Sequence, residues 1–180
     1  MIEGVRQIKL QPFVDKRGLF AKTLDFGMIE GFGMRGVEEY FFSKSDKFVW
    51  RGMHLQTGQQ ASNRIIYCTN GAVNDFLIDL RKNSPTFLGV LELELNAEDT
   101  MDGVFVPAGV AHGFLSMVDY SEVHYISDKS YKSEFDTGVN PFSIPFISKR
   151  LAGFQISLSE RDKKLPTLDQ FVESHSGDLI

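Results

Sequence analysis

The sequence predicts an all-β fold built as an antiparallel sandwich or barrel, and three patterns carry this prediction. Leucine and glutamate alternate from Leu91 to Leu95, which is the period-two pattern of a strand with one buried face. Asn70-Gly71 separates two apolar runs, 64–69 and 72–80, and this dipeptide between such runs predicts a β-hairpin. Similar short runs, separated by Gly, Pro and Asn, recur along the middle of the chain.

The remaining elements follow from the turn residues that bound them. Asp102-Gly103 precedes a strand over 104–106, and Pro107-Ala108-Gly109 turns the chain into a strand over 112–117. Another short strand is expected over 123–126. At the two ends, residues 26–32 predict a short helix, and residues 168–173 a helical turn that packs Leu168 and Phe171. No repeat, low-complexity tract or linker interrupts the chain, so residues 1–180 are expected to form one domain.

The composition excludes several classes of protein. A chain of 180 residues with a net charge of −5 lacks the basic surface of a general nucleic-acid binder. Its single cysteine, Cys68, excludes an intrachain disulfide, and its apolar neighbours predict a buried, unreactive thiol. No apolar run reaches the roughly 18 residues that span a bilayer, and no leader pattern opens the chain. A soluble, cytoplasmic protein is therefore expected.

Chemistry-bearing residues cluster around two short motifs. In Arg51-Gly52-Met53-His54-Leu55-Gln56, a guanidinium lies three residues before an imidazole, which combines an anion clamp with a proton acceptor. The second motif is Ala111-His112-Gly113-Phe114, and about sixty residues of strand-like sequence separate the two. Taken alone, an arginine and a histidine near a strand start are usually surface or structural residues. The two motifs indicate a function only in combination with other segments of the chain.

A wider set of segments in fixed order resembles the dTDP-4-dehydrorhamnose 3,5-epimerase family. Besides the two motifs, the set comprises Asp15-Lys16-Arg17-Gly18-Leu19-Phe20, Arg81, Ser84-Pro85-Thr86-Phe87, Pro107-Ala108-Gly109, Tyr125, Ser159-Glu160-Arg161-Asp162 and Leu165-Pro166-Thr167-Leu168. The resemblance implies a cupin-like jelly roll of antiparallel sheets with small peripheral helices, assembled as a homodimer. The 16 phenylalanines could supply both its core and its dimer interface.

The same resemblance implies epimerisation of a nucleotide-diphospho-4-keto-6-deoxy sugar at carbon 3, carbon 5 or both, for deoxysugar and surface polysaccharide synthesis. A base removes a proton next to the ketone, an enolate forms, and an acid returns a proton to the opposite face. One alternative is an epimerase of a single centre, carbon 5 or carbon 3, that acts on a CDP- or GDP-linked deoxysugar. A non-enzymatic alternative is a cupin-fold module that only binds a sugar nucleotide.

The family's catalytic residues map onto three positions. His54 corresponds to the base, Asp162 to the carboxylate that orients it, and Tyr125 to the proton donor. In the absence of the resemblance, His54 would be a packed strand-start histidine, Asp162 a helix N-cap or solvated charge, and Tyr125 an ordinary strand aromatic. His124 is expected on the opposite face of the strand from Tyr125, and His175 in a solvated tail.

The resemblance also implies a set of substrate-binding residues: Arg17, Phe20, Lys22, Glu39, Phe41, Arg51, Arg64, His112 and Tyr131. Four of them depart from the family pattern. Arg64 replaces a lysine, Lys22 a glutamate, Glu39 a glutamine and Phe41 an asparagine. The last three positions help to hold thymidine diphosphate in the family, partly across the dimer interface. An acidic Glu39 near a diphosphate would be repelled unless it pairs with Lys22 or accepts from an amine of the base. Thymine has no such amine, so CDP or GDP is expected to bind more tightly than dTDP if Glu39 contacts the base.

No metal site is expected. Metal-binding cupins usually carry two histidines separated by one residue, followed by a glutamate, whereas His54 is followed by Leu55-Gln56. Epimerisation next to a ketone also needs no metal or redox cofactor, so neither is predicted. The missing second histidine further argues against the related sugar-nucleotide 3,4-ketoisomerases.

Overall fold

The computed structural model describes residues 1–97 and 101–175, and most of its regular structure is β. The strands are β1 (Arg6–Leu10), β2 (Phe13–Asp15), β3 (Gly18–Phe20), β4 (Glu39–Ser45), β5 (Trp50–Gln56), β6 (Arg64–Asn70), β7 (Ala72–Asp79), β8 (Val90–Asn96), β9 (Met101–Val106), β10 (Val110–Ser116), β11 (Ser121–Ser127) and β12 (Asp136–Gly138). The helices are α1 (Phe26–Gly31), α2 (Pro145–Leu151), α3 (Glu160–Lys163) and α4 (Leu168–Ser174). Two 3-10 turns cover Gly58–Gln60 and Pro141–Ser143.

Ten of the strands form two five-stranded sheets. The first sheet has the order β1-β9-β6-β11-β4 and the second β12-β5-β10-β7-β8. The paired strands within both sheets are antiparallel, and successive strands cross between the sheets as they do in a jelly roll. The predicted cupin-like fold class is confirmed.

The two sheets enclose a shared apolar core. The first sheet contributes buried side chains such as Ile66 and Val123, and the second contributes Leu77, Val110 and Phe114. The predicted strand at Leu91–Leu95 behaves as expected, because Leu93 and Leu95 are buried in this core while Glu94 is exposed.

The outer faces of the sheets are covered by the two ends of the chain. Segments around α1 pack Met28 and Phe32 on the first sheet. The C-terminal helices pack on the second sheet, where Phe171 of α4 joins Trp50 and Phe76 in a separate buried cluster. The short helix predicted over 26–32 and the helical turn predicted over 168–173 are thus confirmed.

The prediction of a hairpin at Asn70-Gly71 is wrong. Gly71 does form a tight corner at φ = 72°, but β6 belongs to the first sheet and β7 to the second, so the two strands do not pair. An Asn-Gly pair specifies a sharp reversal with positive φ. Which sheet the next strand joins depends on its distant partners, which for β7 are β8 and β10.

The hairpin formed by β2 and β3 stands apart from both sheets. Four of its six strand positions are apolar, and the side chains of these four residues, Phe13, Val14, Leu19 and Phe20, are each at least half exposed. So much exposed apolar surface on one small hairpin is unusual. In the described part of the chain, no helix has the length and apolar character that a membrane crossing requires.

Candidate active site

A cavity of about 690 Å³ opens between the two sheets. Residues of β4, β6 and β11 line it from the first sheet, and residues of β5 and β10 line it from the second. The segment that leads into α3 closes one side with Ser157, Ser159 and Asp162. The jelly roll therefore brings segments that lie more than a hundred residues apart to one opening.

His54 and Asp162 form a hydrogen-bonded pair in this cavity. The distance from His54 Nε2 to Asp162 Oδ1 is 2.7 Å. Ser159 caps α3 by accepting a hydrogen bond from the Asp162 backbone N–H, which places the carboxylate at the first turn. Burial acts to raise the pKa of Asp162, but the hydrogen bond with His54, together with those of Gly52 and Ser159, outweighs it and lowers the pKa. An ionised Asp162 orients the imidazole and leaves Nδ1 available to accept a proton.

A β-bulge places Arg51 and His54 on the same side of β5. Residues three apart in a regular strand point to opposite faces, but the β5–β10 register shifts between the pairs His112↔His54 and Phe114↔Arg51. Gly52 occupies the bulge at φ = 121°, and a Cβ there would lie 2.4 Å from Gly113 Cα. Glycine is therefore required at this position, and both functional side chains line the cavity.

A second histidine–carboxylate pair lies beside the first. His112 is directly opposite His54 in the strand register, and its Nε2 lies 2.5 Å from Asp75 Oδ1 on β7. Both side chains of this pair are buried, and His112 reaches the cavity. The hydrogen bond to Asp75 fixes the orientation of the His112 imidazole, just as the bond to Asp162 orients that of His54.

Tyr125 reaches the cavity from the opposite sheet. Its ring stacks on Phe41 with centroids 4.7 Å apart and an interplanar angle of 10°, and it also packs edge-on against the ring of His112. Burial raises the pKa of the Tyr125 phenol, and it is opposed only in part by the neighbouring Ser43 hydroxyl and, more weakly, by the positive charges of Arg64 and Arg51. The phenol is therefore protonated at neutral pH and can act as an acid.

Two guanidinium groups supply positive charge to the cavity. Arg51 donates from Nε to Ser45 Oγ at 3.0 Å, which ties it to the end of β4. Arg64 donates from Nη2 to the backbone oxygens of His54 and Val110, both at 3.2 Å. Desolvation lowers the pKa of Arg64, although an arginine remains charged at neutral pH. Arg64 therefore presents a fixed cation beside the backbone of His54 in the same cavity.

The loop that carries Tyr131 is held by side chains at the start of β4 and at the end of β5. Three consecutive backbone N–H groups, of Ser130, Tyr131 and Lys132, donate to the side-chain oxygens of Glu38, Glu39 and Gln56 at 3.0, 3.1 and 2.7 Å. This run of bonds determines where Tyr131 stands at the edge of the cavity.

The phenol of Tyr131 is also held. Its hydroxyl donates to Asp136 Oδ2 at 3.2 Å, and the same carboxylate forms an ion pair with Arg161. Because Asp136 and Arg161 both line the cavity, the mouth has a polar rim that runs from β4 to α3. Tyr131 forms part of that rim and is about half exposed.

Nine of the twelve predicted site residues gather around the cavity: Glu39, Phe41, Arg51, His54, Arg64, His112, Tyr125, Tyr131 and Asp162. The other three do not reach it within one chain. Arg17 pairs with Asp15 on the exposed β2–β3 hairpin, Phe20 is 69% exposed on the same hairpin, and Lys22 is exposed beyond it. A Glu39–Lys22 pair, one of the two alternatives for Glu39, does not form among the described residues of one chain, where Glu39 instead accepts from the Tyr131 backbone N–H.

Sequence reasoning missed several residues of the site. Asp75 had a usable signal, since a carboxylate inside the apolar run 72–80 requires a buried partner. Gln56, Asp136 and Arg161 carried no such signal, because a polar residue at a strand end or helix start is ordinary surface.

Over residues 1–97 and 101–175, no three His, Cys, Asp or Glu side chains group in a way that would hold a metal ion.

Two residues that the sequence marked as structural are so placed. His124 lies on the outer face of β11, where its Nδ1 is 2.5 Å from the Tyr40 hydroxyl and its ring stacks on Phe42. Cys68 is fully buried, and this burial raises the pKa of its thiol to about 12. Neither residue lines the cavity.

Comparison with known proteins identifies the family. The family model for dTDP-4-dehydrorhamnose 3,5-epimerase matches residues 1–170. The dTDP-4-dehydrorhamnose 3,5-epimerase of Escherichia coli (strain K12) is 34% identical over 176 residues, which cover 95% of this chain and 93% of that protein.

Solved structures agree. NovW, a 4-keto-6-deoxy sugar epimerase from the novobiocin biosynthetic gene cluster of Streptomyces spheroides, superposes with a TM-score of 0.87 at 27% identity, covering 96% of this chain and 87% of NovW. ChmJ, a 3′-monoepimerase from Streptomyces bikiniensis solved in complex with dTDP-quinovose, has a TM-score of 0.87 at 26% identity, covering 97% of this chain and 88% of ChmJ. The chain thus belongs to the dTDP-4-dehydrorhamnose 3,5-epimerase family, whose members are isomerases that act on nucleotide-linked sugars.

Proposed function

We propose that this protein epimerises a dTDP-linked 4-keto-6-deoxy sugar at carbon 3, carbon 5 or both. One observation carries the proposal: an oriented base, His54 with Asp162, and a protonated phenol, Tyr125, enter one cavity from opposing sheets. Inversion next to a ketone needs a base and an acid on opposite sides of the sugar ring. A module that only binds sugar nucleotides would have no use for this arrangement.

The reaction begins when His54 removes the proton from the carbon beside the ketone. The electron pair of that C–H bond moves to the sugar oxygen, and the resulting enolate is stabilised by positive charge and hydrogen-bond donors. Arg64 and His112 are the groups placed to supply them, since both line the cavity beside His54.

Tyr125 completes the inversion by giving its phenol proton to the opposite face of the carbon. The imidazolium of His54 then releases its proton to solvent, and the tyrosinate takes one up, which restores the starting state. Burial keeps the phenol protonated between turnovers, because it disfavours the charged form. No metal or redox cofactor takes part in these steps.

The nucleotide is dTDP in this proposal, although two cavity residues depart from the family pattern. Glu39 accepts from the Tyr131 backbone N–H, and Phe41 stacks on Tyr125, so both have partners within the protein. These partners remove the main reason to expect a base amine at Glu39. Support for dTDP comes from family membership and from the dTDP-quinovose held by ChmJ. Titration calorimetry with the four nucleoside diphosphates tests this choice, and tightest binding of CDP or GDP would restore the alternative.

A second copy of the chain completes the site in this proposal. The exposed apolar face of the β2–β3 hairpin supports a homodimer in which the hairpin packs on the partner. Arg17 and Phe20 would then meet the nucleotide in the neighbouring cavity, as the resemblance implies. Residues 1–180 act as one domain, and the single buried thiol suits a reducing compartment such as the cytoplasm.

Solvent deuterium incorporation tests the reaction directly. The protein is incubated in heavy water with a dTDP-linked 4-keto-6-deoxy hexose, and NMR follows each ring position. We expect deuterium at carbon 3, carbon 5 or both, together with inversion at the labelled centres. The position of the label also distinguishes a 3,5-epimerase from an epimerase of one centre. No exchange with any 4-keto sugar nucleotide would refute the proposed function.

A further inference from the structure

The ring of Tyr125 packs against two other rings. Phe41 stacks on it nearly in parallel, with centroids 4.7 Å apart and planes inclined by 10°, and His112 meets it edge-on at 5.8 Å and 75°. His112 is itself anchored by its bond to Asp75. Phe41 and this fixed imidazole therefore both restrict where the Tyr125 ring can lie, and the Ser43 hydroxyl lies beside the phenol.

The strand register brings Phe41 to this place. Tyr125 on β11 lies directly opposite Phe41 on β4, and directly opposite Ile66 on β6. Side chains at such cross-strand positions are in contact on the same face of the sheet. Phe41 is the more exposed of the two neighbours, with 43% of its surface open, and it lines the cavity.

Phe41 has no group that could hydrogen-bond a nucleotide or a phosphate. What it offers is a flat apolar surface, one side of which the phenol ring occupies. Stacked aromatic pairs contribute about 0.5–1.5 kcal/mol beyond the area that they bury, which is enough to bias a side chain between two orientations. A proton donor must lie within hydrogen-bond reach of the carbon that receives the proton, so the orientation of the phenol ring matters for the rate.

We propose that Phe41 is a positioning residue for the acid: its stack holds the Tyr125 phenol in the orientation that protonates the enolate. The inference rests on the proposed function, because it assigns the acid role to Tyr125. Phe41 stands where the sequence resemblance leads one to expect an asparagine, and an amide would provide no comparable stack.

The test separates proton removal from opposite-face protonation. Phe41→Ala, Phe41→Asn and Phe41→Tyr are each compared with the wild type for deuterium exchange and for net inversion of the same substrate. Phe146→Ala is the matched control, since Phe146 lies on α2, away from the cavity, and is similarly exposed at 47%. Phe41→Tyr keeps the stacked ring and serves as the rescue variant.

We expect Phe41→Ala and Phe41→Asn to lower the number of inversions per exchange event by about 3- to 10-fold. This fold-change corresponds to the free energy that one stacked aromatic pair contributes. Exchange itself should change by less than about threefold, because His54 still abstracts the proton and returns it on its own face. Phe41→Tyr and Phe146→Ala should retain the wild-type ratio. Crystal structures of Phe41→Ala and Phe41→Tyr provide a readout without turnover, and Tyr125 should change rotamer only in the first.

Three results would overturn the proposal. An unchanged ratio in Phe41→Ala, with Tyr125 in its original rotamer, would show that the stack is unnecessary. A parallel loss of exchange and inversion would show a general structural role. Weaker dTDP binding with an unchanged ratio would make Phe41 a platform for the nucleotide. By contrast, a wild type that exchanges no proton would refute the proposed function itself, while the crystal structures would still report on the stack.

Discussion

At the scale of single residues, the site consists of groups whose protonation state is set by an immediate neighbour. The buried Asp162 is ionised because His54 donates to it, and the buried Tyr125 is protonated because burial disfavours its anion. A base that is oriented by a carboxylate and an acid that stays neutral are the two states that the reaction requires at its start.

Replacement of His54 by asparagine should abolish exchange at every ring position. The amide cannot accept the proton, and removal of a general base typically costs about 100- to 10,000-fold in rate. Binding of dTDP should remain within about threefold of wild type, because the two guanidinium groups are untouched. NMR exchange measurements and titration calorimetry check the two halves of this prediction. Near-normal exchange would exclude His54 as the base.

Replacement of Tyr125 by phenylalanine should impair inversion more than exchange. The variant keeps the aromatic stack with Phe41 but lacks the proton that the opposite face requires, so His54 can still exchange protons on its own face. We expect inversion to fall at least about 100-fold while exchange falls less than about tenfold. An equal loss in both assays would instead make Tyr125 a residue that binds the substrate or the enolate.

At the scale of elements, the loop between β11 and β12 owes its position to side chains from other strands. Glu38, just before β4, and Glu39, the first residue of β4, accept from successive backbone N–H groups of this loop, and Gln56 on β5 accepts from the next. A loop without such bonds would sample many conformations, and Tyr131 would then leave the rim of the cavity.

Replacement of Glu39 by alanine should therefore raise the KM for the nucleotide sugar by about 3- to 10-fold with little change in kcat, as expected for loss of one partly exposed hydrogen bond to a charged group. Glu39→Gln should stay near wild type, because the amide oxygen accepts the same N–H. Glu94→Ala, at an exposed position of β8, is the control. If Glu39→Gln instead changed the preference between dTDP and CDP, Glu39 would be contacting the base.

At the scale of the whole molecule, two features of the single chain indicate a partner. The β2–β3 hairpin exposes four apolar side chains, and three predicted binding residues lie on or near it, outside the cavity. A second copy that covers the hairpin would resolve both features at once, because apolar surface of this extent is usually buried at an interface.

Replacement of Phe20 by aspartate should weaken the dimer at least about tenfold, since it places a charge in an apolar interface. Phe146→Asp is the control at a similarly apolar and exposed position of α2. Sedimentation equilibrium over micromolar concentrations measures the dissociation constant. A wild type that is monomeric throughout this range, or a Phe20→Asp variant that dimerises normally, would contradict the proposed assembly.

The stability of the whole fold should fall in acid through Asp79. Burial acts to raise the pKa of this carboxyl, but bonds from Arg81, Ser84 and Thr86 outweigh it, so the pKa is lowered. The folded-state pKa lies below the unfolded value near 4, so the contribution is complete above about pH 4 and is lost as the pH falls through the folded value.

Asp79→Asn should cost about 3 kcal/mol at pH 7 and should show a smaller loss between pH 5 and pH 3 than the wild type. Asp169→Asn, at an exposed position of α4, should show neither effect. Urea unfolding at fixed protein concentration gives the free energies. An unchanged acid dependence in Asp79→Asn would exclude this carboxyl as the source.

Some features of the protein were determined by the sequence alone. Alternation along Leu91–Leu95 identified a strand with one buried face, because side chains of a strand point alternately to two sides. The motif order that carries His54, Tyr125 and Asp162 identified the family, and the comparisons confirm this. These features depend on local geometry or on residue identity, both of which a linear sequence contains.

Other features were decided only by the tertiary structure. Gly71 reverses the chain, yet β7 leaves its neighbour and joins the second sheet, because pairing with β8 and β10 determines where it lies. Arg51 and His54 face the same cavity only because a bulge at Gly52 fits against Gly113. Pairing and close backbone approach are properties of strands that meet in space, so the sequence around one strand cannot reveal them.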